Sequence, residues 1–233
     1  MRLNLIFVFL CHLVWAQPTL IQTLGLDDSH LMELEGHQLT PKTAAAFCAM
    51  HAAALNDGID LQLVSAYRSF ERQQYIWEDK YKRYTYEGMS PKEAIQRILE
   101  YSTIPGTSRH HWGTDVDITD ANAPKQKRVL VPNKFHGNGP FAPLRQWMEK
   151  NANRFGFYLV YTKDTDRTGF YYEPWHYTYL PEAKHYQKEY DSRTAFAYFK
   201  SVGVAGSEHI TLDFWSSYYL NFVKGINSEL TEN

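Results

Sequence analysis

The sequence predicts an α+β fold, on three observations. Helical stretches precede and follow a set of short strands rather than alternating with them. Two of those strands are joined by a polar turn in the manner of a hairpin. The chain has 233 residues, 44% hydrophobic and 21% charged, enough to bury a core in one medium domain or in a domain with a small appendage.

The first sixteen residues stand apart from the fold. Arg2 gives a positive start, Leu3 to Trp15 is largely apolar, and Ala16 supplies a small residue before Gln17. This is the form of a secretory signal peptide, too short for a comfortable membrane span. It predicts an exported protein, periplasmic or extracellular; an uncleaved anchor is the competing reading.

The elements follow in order. Thr40 and Pro41 pair an N-cap with a proline at the first helical position, and an Ala-rich run continues to Leu55 before Gly58 stops it. Residues Asp60 to Ala66 read as a strand, and Phe70 to Tyr84 as a polar-aromatic helix. Ser90-Pro91-Lys92-Glu93 is a capping box opening a helix to about Tyr101. Asp115 to Thr119 reads as a short strand, and 120–143, rich in Pro, Gly, Asn and Lys, as a long surface loop. Ala142 to Phe155 reads as helix and Phe157 to Tyr161 as strand. Asp164 to Thr168 then turns the chain into a strand near Gly169–Tyr179. From Pro181 the chain is mostly helical, ending in an amphipathic helix near Leu212–Val223. The domain reading is a leader over 1–16, a main domain over 17–185 and a helical extension over 186–233 packed on it.

Composition narrows the function. Lys and Arg total 24 against 26 Asp and Glu, a net charge of −2, so nothing points to a nucleic-acid partner. Aromatic residues reach 15%, which fits either a Tyr-rich core and rim or grooves for sugars or peptides. Cys11 lies in the leader, leaving Cys48 alone and no internal disulfide. Cys48, in the Ala-rich helix, reads as a small buried hydrophobe. A thiol-bound structural zinc is excluded, because no Cys-x-x-Cys occurs. Gly137-Asn138-Gly139 follows no buried strand, so no nucleotide cofactor is expected. Ser-x-x-Lys, Lys-Thr-Gly, His-Glu-x-x-His and Gly-x-Ser-x-Gly are all missing.

Three clusters carry the chemistry. The first is Ser65-Ala-Tyr67-Arg68-Ser69 with Gln73. The second is Ser108-Arg-His110-His111-Trp112-Gly113-Thr-Asp115-Val-Asp117. The third is Glu173-Pro174-Trp175-His176. Singly, each His or Asp is an ordinary structural residue. Together they supply two imidazoles, carboxylates and an arginine, the inventory of a hydrolytic zinc site with an open position for water.

These clusters resemble the VanY-type D-alanyl-D-alanine metallopeptidases, within the superfamily that includes lysostaphin-like enzymes and hedgehog domains. The family pattern Ser-x-His-x-x-Gly-x-x-x-Asp is met by Ser108, His110, Gly113 and Asp117, and Glu-x-x-His by Glu173 and His176. The pattern Ser-(Gly)-Tyr-Arg-Ser-x-x-x-Gln is met by Ser65, Tyr67, Arg68, Ser69 and Gln73, with Ala66 in place of a common Gly. The resemblance spans about residues 60 to 180. It implies a small antiparallel sheet, flanked by helices, that carries one Zn²⁺ held by His110, Asp117 and His176. It implies Glu173 as general base and Arg68 as the donor to the oxyanion or peptide carbonyl. Ser108, Gln73, Asp115, Trp175 and Tyr67 are candidates for substrate contact or for support of the ligands.

Some assignments stay open at this level. Positions 115 and 117 of a strand face the same way, so Asp115 rivals Asp117 as ligand or supports the site from behind. His111 rivals His110 in the same fashion, with the alternatives of a supporting or surface residue. Trp112 and Trp175 flank the ligands and read as walls of the site or as core. Glu173 and His176 are three apart, and an ideal strand would send them to opposite faces; Pro174 is consistent with an edge or bulge there. The leading expectation is a zinc peptidase, monomeric, acting on peptidoglycan stem peptides and removing a terminal D-alanine. The rivals are an L,D-carboxypeptidase or endopeptidase on the same polymer, and a catalytically silent cell-wall-binding module.

Overall fold

A computed structural model describes residues 17–231, so the leader over 1–16 lies outside the described residues. The described residues open with a short helix α1 (Leu20–Thr23) and a hairpin of β1 (Met32–Leu34) and β2 (His37–Leu39). There follow α2 (Pro41–Asn56), β3 (Leu61–Ser65), α3 (Phe70–Tyr86), α4 (Pro91–Leu99) and β4 (Asp115–Asp120). The second half holds α5 (Ala142–Asn151), β5 (Phe157–Leu159), β6 (His176–Tyr179), α6 (Leu180–Glu189), α7 (Ser192–Val202) and α8 (Leu212–Tyr218). The four longer-range strands make one antiparallel sheet in the order β3-β4-β6-β5. The fold is α+β.

The cap chemistry explains the helix starts. Thr40 Oγ1 accepts from the N–H of Thr43 at the head of α2, and Ser69 Oγ from that of Arg72 at the head of α3. The Ser90–Glu93 box is closed in both directions.

One core lies behind the sheet. Phe47, Met50 and Ala54 of α2 pack there on Leu61, Leu63, Val116, Ile118 and Tyr177, with Leu144 and Trp147 of α5. Along β4 the alternation is strict: Val116 and Ile118 enter this core, while Asp115 and Asp117 take the other face. A second core joins α3 and α4 to the C-terminal helices through Phe70, Trp77, Ile98, Phe199, Trp215 and Tyr218. Tyr218 also takes the N–H of Ile104 at 3.2 Å and meets Thr107 Oγ1 at 2.7 Å, which fastens α8 to the segment leading into Ser108.

Several expectations are corrected. Cys48 is exposed, because the buried face of α2 runs through Thr43, Ala44, Phe47, Met50 and Ala54 and position 48 falls off it. The strand expected over 169–179 is regular only at His176–Tyr179, since the preceding residues form turns that fold toward β6. The helix expected over 142–155 ends at Asn151 and tightens into a 3-10 turn, Ala152–Phe155, closed by Gly156 at φ 82°. The last helix loosens into a π turn at Tyr219–Val223. The N-terminal hairpin was not foreseen: its strands are three residues each, too short to show a period.

Candidate metal centre and catalytic cleft

Pairing register builds the site. Asp117 of β4 lies directly across from His176 of β6, and Ser65 of β3 lies across from Asp117 on the other side. Residues opposite each other on adjacent strands project to the same face, so one cross-strand row presents all three. His110 arrives from the 3-10 turn Arg109–Trp112, just before β4. Gly113 ends that turn at φ 69°, and a Cβ there would meet Leu31 Cδ2 at 2.5 Å. A glycine is needed both for the conformation and for the close approach.

His110, Asp117 and His176 each offer one ligand atom, all within 4.8 Å of one another, and all three are buried. Each imidazole is oriented by its other nitrogen. His110 Nδ1 donates to the Ala66 carbonyl at 2.7 Å, which turns Nε2 toward Asp117 at 3.5 Å. His176 Nε2 lies 2.9 Å from Asp115 Oδ2, which leaves Nδ1 facing Glu173 Oε2 at 3.0 Å and Asp117 Oδ1 at 3.9 Å. Asp117 Oδ1 is buried with no hydrogen-bond partner. A buried carboxylate oxygen left without a donor is costly unless a cation completes it. Two neutral imidazoles and one carboxylate are a tetrahedral zinc donor set with one position open. The residues fit the metal.

The surrounding carboxylates set the proton affinity of His176. Burial works against charge on His176, yet its bonds to Asp115 and Glu173 outweigh that and push its pKa up to about 10. Burial would raise Asp117, but His110, His176 and Arg68 hold it below the usual carboxylate range. The carboxylates of Asp115, Asp117 and Glu173 thus crowd around two imidazoles, a field that attracts a divalent cation.

His110, Asp117, Glu173 and His176 line a cavity of about 280 Å³ together with Arg68, Ser108 and Trp175, while Asp115 lies outside its lining. The Glu173 side chain is 15% exposed, within reach of His176 and open to the cavity. Arg68 is held by two oxygens: Nη1 donates to Gln73 Oε1 at 2.9 Å and Nη2 to Ser65 Oγ at 3.3 Å. Gln73 is fully buried and anchors itself by donating to the Thr103 carbonyl at 2.8 Å. It therefore sits behind Arg68 and does not line the cavity. Burial lowers the Arg68 pKa somewhat, against the pull of Asp117 and Glu173.

Other expected residues fall elsewhere. Tyr67 turns away from the cleft, its hydroxyl donating to the Gly25 carbonyl at 3.2 Å. Trp112 is not a wall of the site: it packs on Ala183 and Tyr186, and its Nε1 donates to Thr23. Trp175 does line the cavity, with Phe135 against its other side. His111 is neither a ligand nor a surface residue. It is fully buried, its Nδ1 donating to the Arg68 carbonyl at 2.6 Å and its Nε2 accepting from the Gly106 N–H at 3.1 Å.

Several contributors were missed in the sequence, Tyr101, Thr103, Leu130 and Phe170 of the cavity lining among them. Ser102 and Tyr161 line the cavity, and Tyr161 sets its ring edge-on to His176 at 5.1 Å. Arg109 donates through Nε to Asp115 Oδ2 at 2.9 Å. None of them carried a local signal, because the Arg109–Asp115 pair and the cavity lining form only when the sheet does.

A family model for VanY, D-alanyl-D-alanine carboxypeptidase, matches residues 36–182. The chain belongs to this family. It is 35% identical over 129 residues to a D-alanyl-D-alanine carboxypeptidase of Enterococcus faecalis, a match covering 55% of this chain and 43% of the relative. It is 28% identical over 163 residues to one from Enterococcus faecium, covering 69% of this chain and 42% of the relative. The chain therefore spans less than half the length of these two curated relatives. Among solved structures, VanYB in complex with D-alanine-D-alanine superposes with a TM-score of 0.52 at 27% identity, covering 73% of this chain and 88% of that one. A mutant of the vancomycin-resistance D,D-pentapeptidase VanY from a VanB-type cassette, in complex with Zn(II), gives 0.51 at 27% identity, covering 71% and 88%. In this VanY-family chain the matched region holds all three motif clusters and the whole four-stranded sheet.

Proposed function

We propose that this protein is a zinc-dependent D,D-carboxypeptidase that removes the terminal D-alanine from peptidoglycan stem peptides. The observation that carries the reading is the convergence of His110, Asp117, His176, Glu173 and Arg68 on one cavity. A metal-binding module needs the first three alone; the carboxylate and the guanidinium beside them are what hydrolysis adds. The similar proteins named above support the substrate class, one of them solved with D-alanine-D-alanine and another with Zn(II).

His110, Asp117 and His176 would hold the zinc. When bound there, zinc supplies Lewis acidity toward a peptide carbonyl and lowers the pKa of a water toward neutrality. Glu173 is the proton carrier: it takes the proton of the attacking water and returns it to the leaving amine. Arg68, fixed by Gln73 and Ser65, donates to the carbonyl oxygen as negative charge develops on it. Ser108 faces the same cavity and is placed to contact the bound peptide.

The Arg2–Ala16 segment further leads us to propose export, with the mature chain beginning near Gln17, where the wall polymer is accessible. Residues 186–233 are read as an extension that braces the peptidase unit. Incubating the purified protein with stem pentapeptide, tetrapeptide and cross-linked dimer, then reading product masses, tests the substrate. Loss of one alanine from the pentapeptide alone is expected. Cleavage confined to the tetrapeptide or the dimer would replace this reading with an L,D-carboxypeptidase or an endopeptidase.

A further inference from the structure

Asp115 lies behind His176, is fully buried, and no oxygen of it remains free. Oδ2 accepts from Arg109 Nε and from His176 Nε2, each at 2.9 Å. Oδ1 accepts from Thr178 Oγ1 at 2.5 Å and from Thr114 Oγ1 at 3.1 Å. A carboxylate has about four lone-pair directions, and all are engaged away from the metal-facing side. Arg109 is fixed in turn. Its Nη2 donates to Thr178 Oγ1 at 3.0 Å, its Nη1 to Gln187 Oε1 at 3.4 Å, and its Cζ lies over the Trp112 ring, 4.5 Å from the ring centre.

We propose that Asp115 is a positioning residue: with Arg109 as its counter-ion, it fixes the orientation and tautomer of His176 so that Nδ1, not Nε2, is presented to the metal. This inference rests on the zinc reading above and goes beyond it. Three observations carry it. Asp115 holds Nε2 and so leaves Nδ1 as the nitrogen on the Asp117 side. The full complement of donors on Asp115 removes it as a rival ligand. Arg109 keeps the carboxylate from swinging, since guanidinium and carboxylate are each bonded on several sides. A carboxylate holding the far nitrogen of a ligating imidazole sets its ring orientation and raises its basicity. Through Gln187 and Trp112, the Arg109 side of the pair is also tied to α6, so the helix after the last ligand strand takes part in aligning that ligand.

The test uses the full chain loaded with zinc, or with cadmium as a spectroscopic probe. In ¹⁵N-labelled, ¹¹³Cd-substituted protein, His176 should show metal coupling to Nδ1 and a slowly exchanging Nε2–H. Asp115→Ala should weaken zinc binding by roughly 10- to 100-fold in a chelator competition and abolish the slow Nε2–H signal. Asp115→Asn keeps an acceptor of the same shape and should fall between. If Asp115→Ala strands Arg109 and fails to fold, Arg109→Met with Asp115→Ala removes both charges and is read in the same assay. Metal coupling to Nε2 in the unaltered protein, or zinc affinity within twofold after Asp115→Ala or the double substitution, would overturn the inference while leaving the zinc peptidase reading intact. An unaltered protein that binds no zinc at all would overturn both.

Discussion

The carbonyl of Glu173 accepts the backbone N–H of His176 at 3.1 Å. That bond closes a four-residue turn, Glu173-Pro174-Trp175-His176, immediately before β6. It answers the problem that a spacing of three poses for a strand. Glu173 is not in the strand; it precedes a turn, while His176 is the first strand residue. The Glu173 N–H donates to the Tyr161 carbonyl at 3.2 Å and the Val160 N–H to the His176 carbonyl at 3.0 Å, so the turn is pinned to the chain beside it. Both side chains therefore reach the same cavity, and Pro174, which has no N–H to pair, costs no ladder bond.

Arg68 depends on its fork being held. Arg68→Lys keeps the charge but replaces two directed donors with a point charge. We expect kcat/KM for D-alanine release to fall by at least about 10²-fold, the scale of losing one oxyanion donor. Gln73→Leu should act through Arg68: kcat falls while zinc content stays at the unaltered level. Steady-state kinetics with metal analysis checks both, and unchanged kcat in Gln73→Leu would remove its positioning role.

His111 makes stability depend on pH. Burial, which outweighs the favourable bond to the Arg68 carbonyl, lowers its pKa from 6.5 to about 3. Its Nε2 is an acceptor for Gly106, so protonation there would break that bond. The folded-state pKa lies below the unfolded one, so the unfolded chain takes up the proton first. Stability is intact above 6.5 and drains as pH falls from there toward 3. Between pH 7.5 and 5 the unaltered protein should lose about 2 kcal/mol more than His111→Gln does, the linkage for a group protonated only when unfolded. Urea unfolding of both proteins at the two pH values checks this; parallel profiles would contradict it.

Gly25 guards the same segment. It sits at φ 74°, and a Cβ there would meet His111 Nδ1 at 2.5 Å and the Phe70 backbone nitrogen at 2.9 Å. Gly25→Ala should destabilise the protein by at least about 1 kcal/mol and lower activity by displacing the Arg68 loop. Thermal unfolding and turnover measured together test it, and an Ala variant equal to the parent in both would show that the loop yields freely.

Much of this architecture was legible in the chain. Thr40-Pro41 and Ser90 carry cap chemistry local enough to read directly, and each starts a helix where expected. The alternation Asp115-Val116-Asp117-Ile118 puts the carboxylates on one face. The grouping of His110, Asp117 and His176 was read by resemblance, because register across β4 and β6 joins residues some sixty positions apart and no local pattern encodes it. The role of Asp115 turned on Arg109 and Thr178, contacts that exist only once the sheet has formed. Cys48 was misplaced because in an Ala-rich helix almost every position is apolar, and the buried stripe cannot be told from its neighbours.

The central claim is that three residues hold zinc and a fourth, Glu173, performs the proton transfer. Zinc content and D-alanine release from stem pentapeptide, measured side by side on the unaltered protein and on Glu173→Gln, test it most directly. We expect one zinc per chain in both, and turnover in Glu173→Gln reduced by at least roughly 10²-fold. Near-normal turnover in Glu173→Gln, or loss of its zinc, would contradict the assignment.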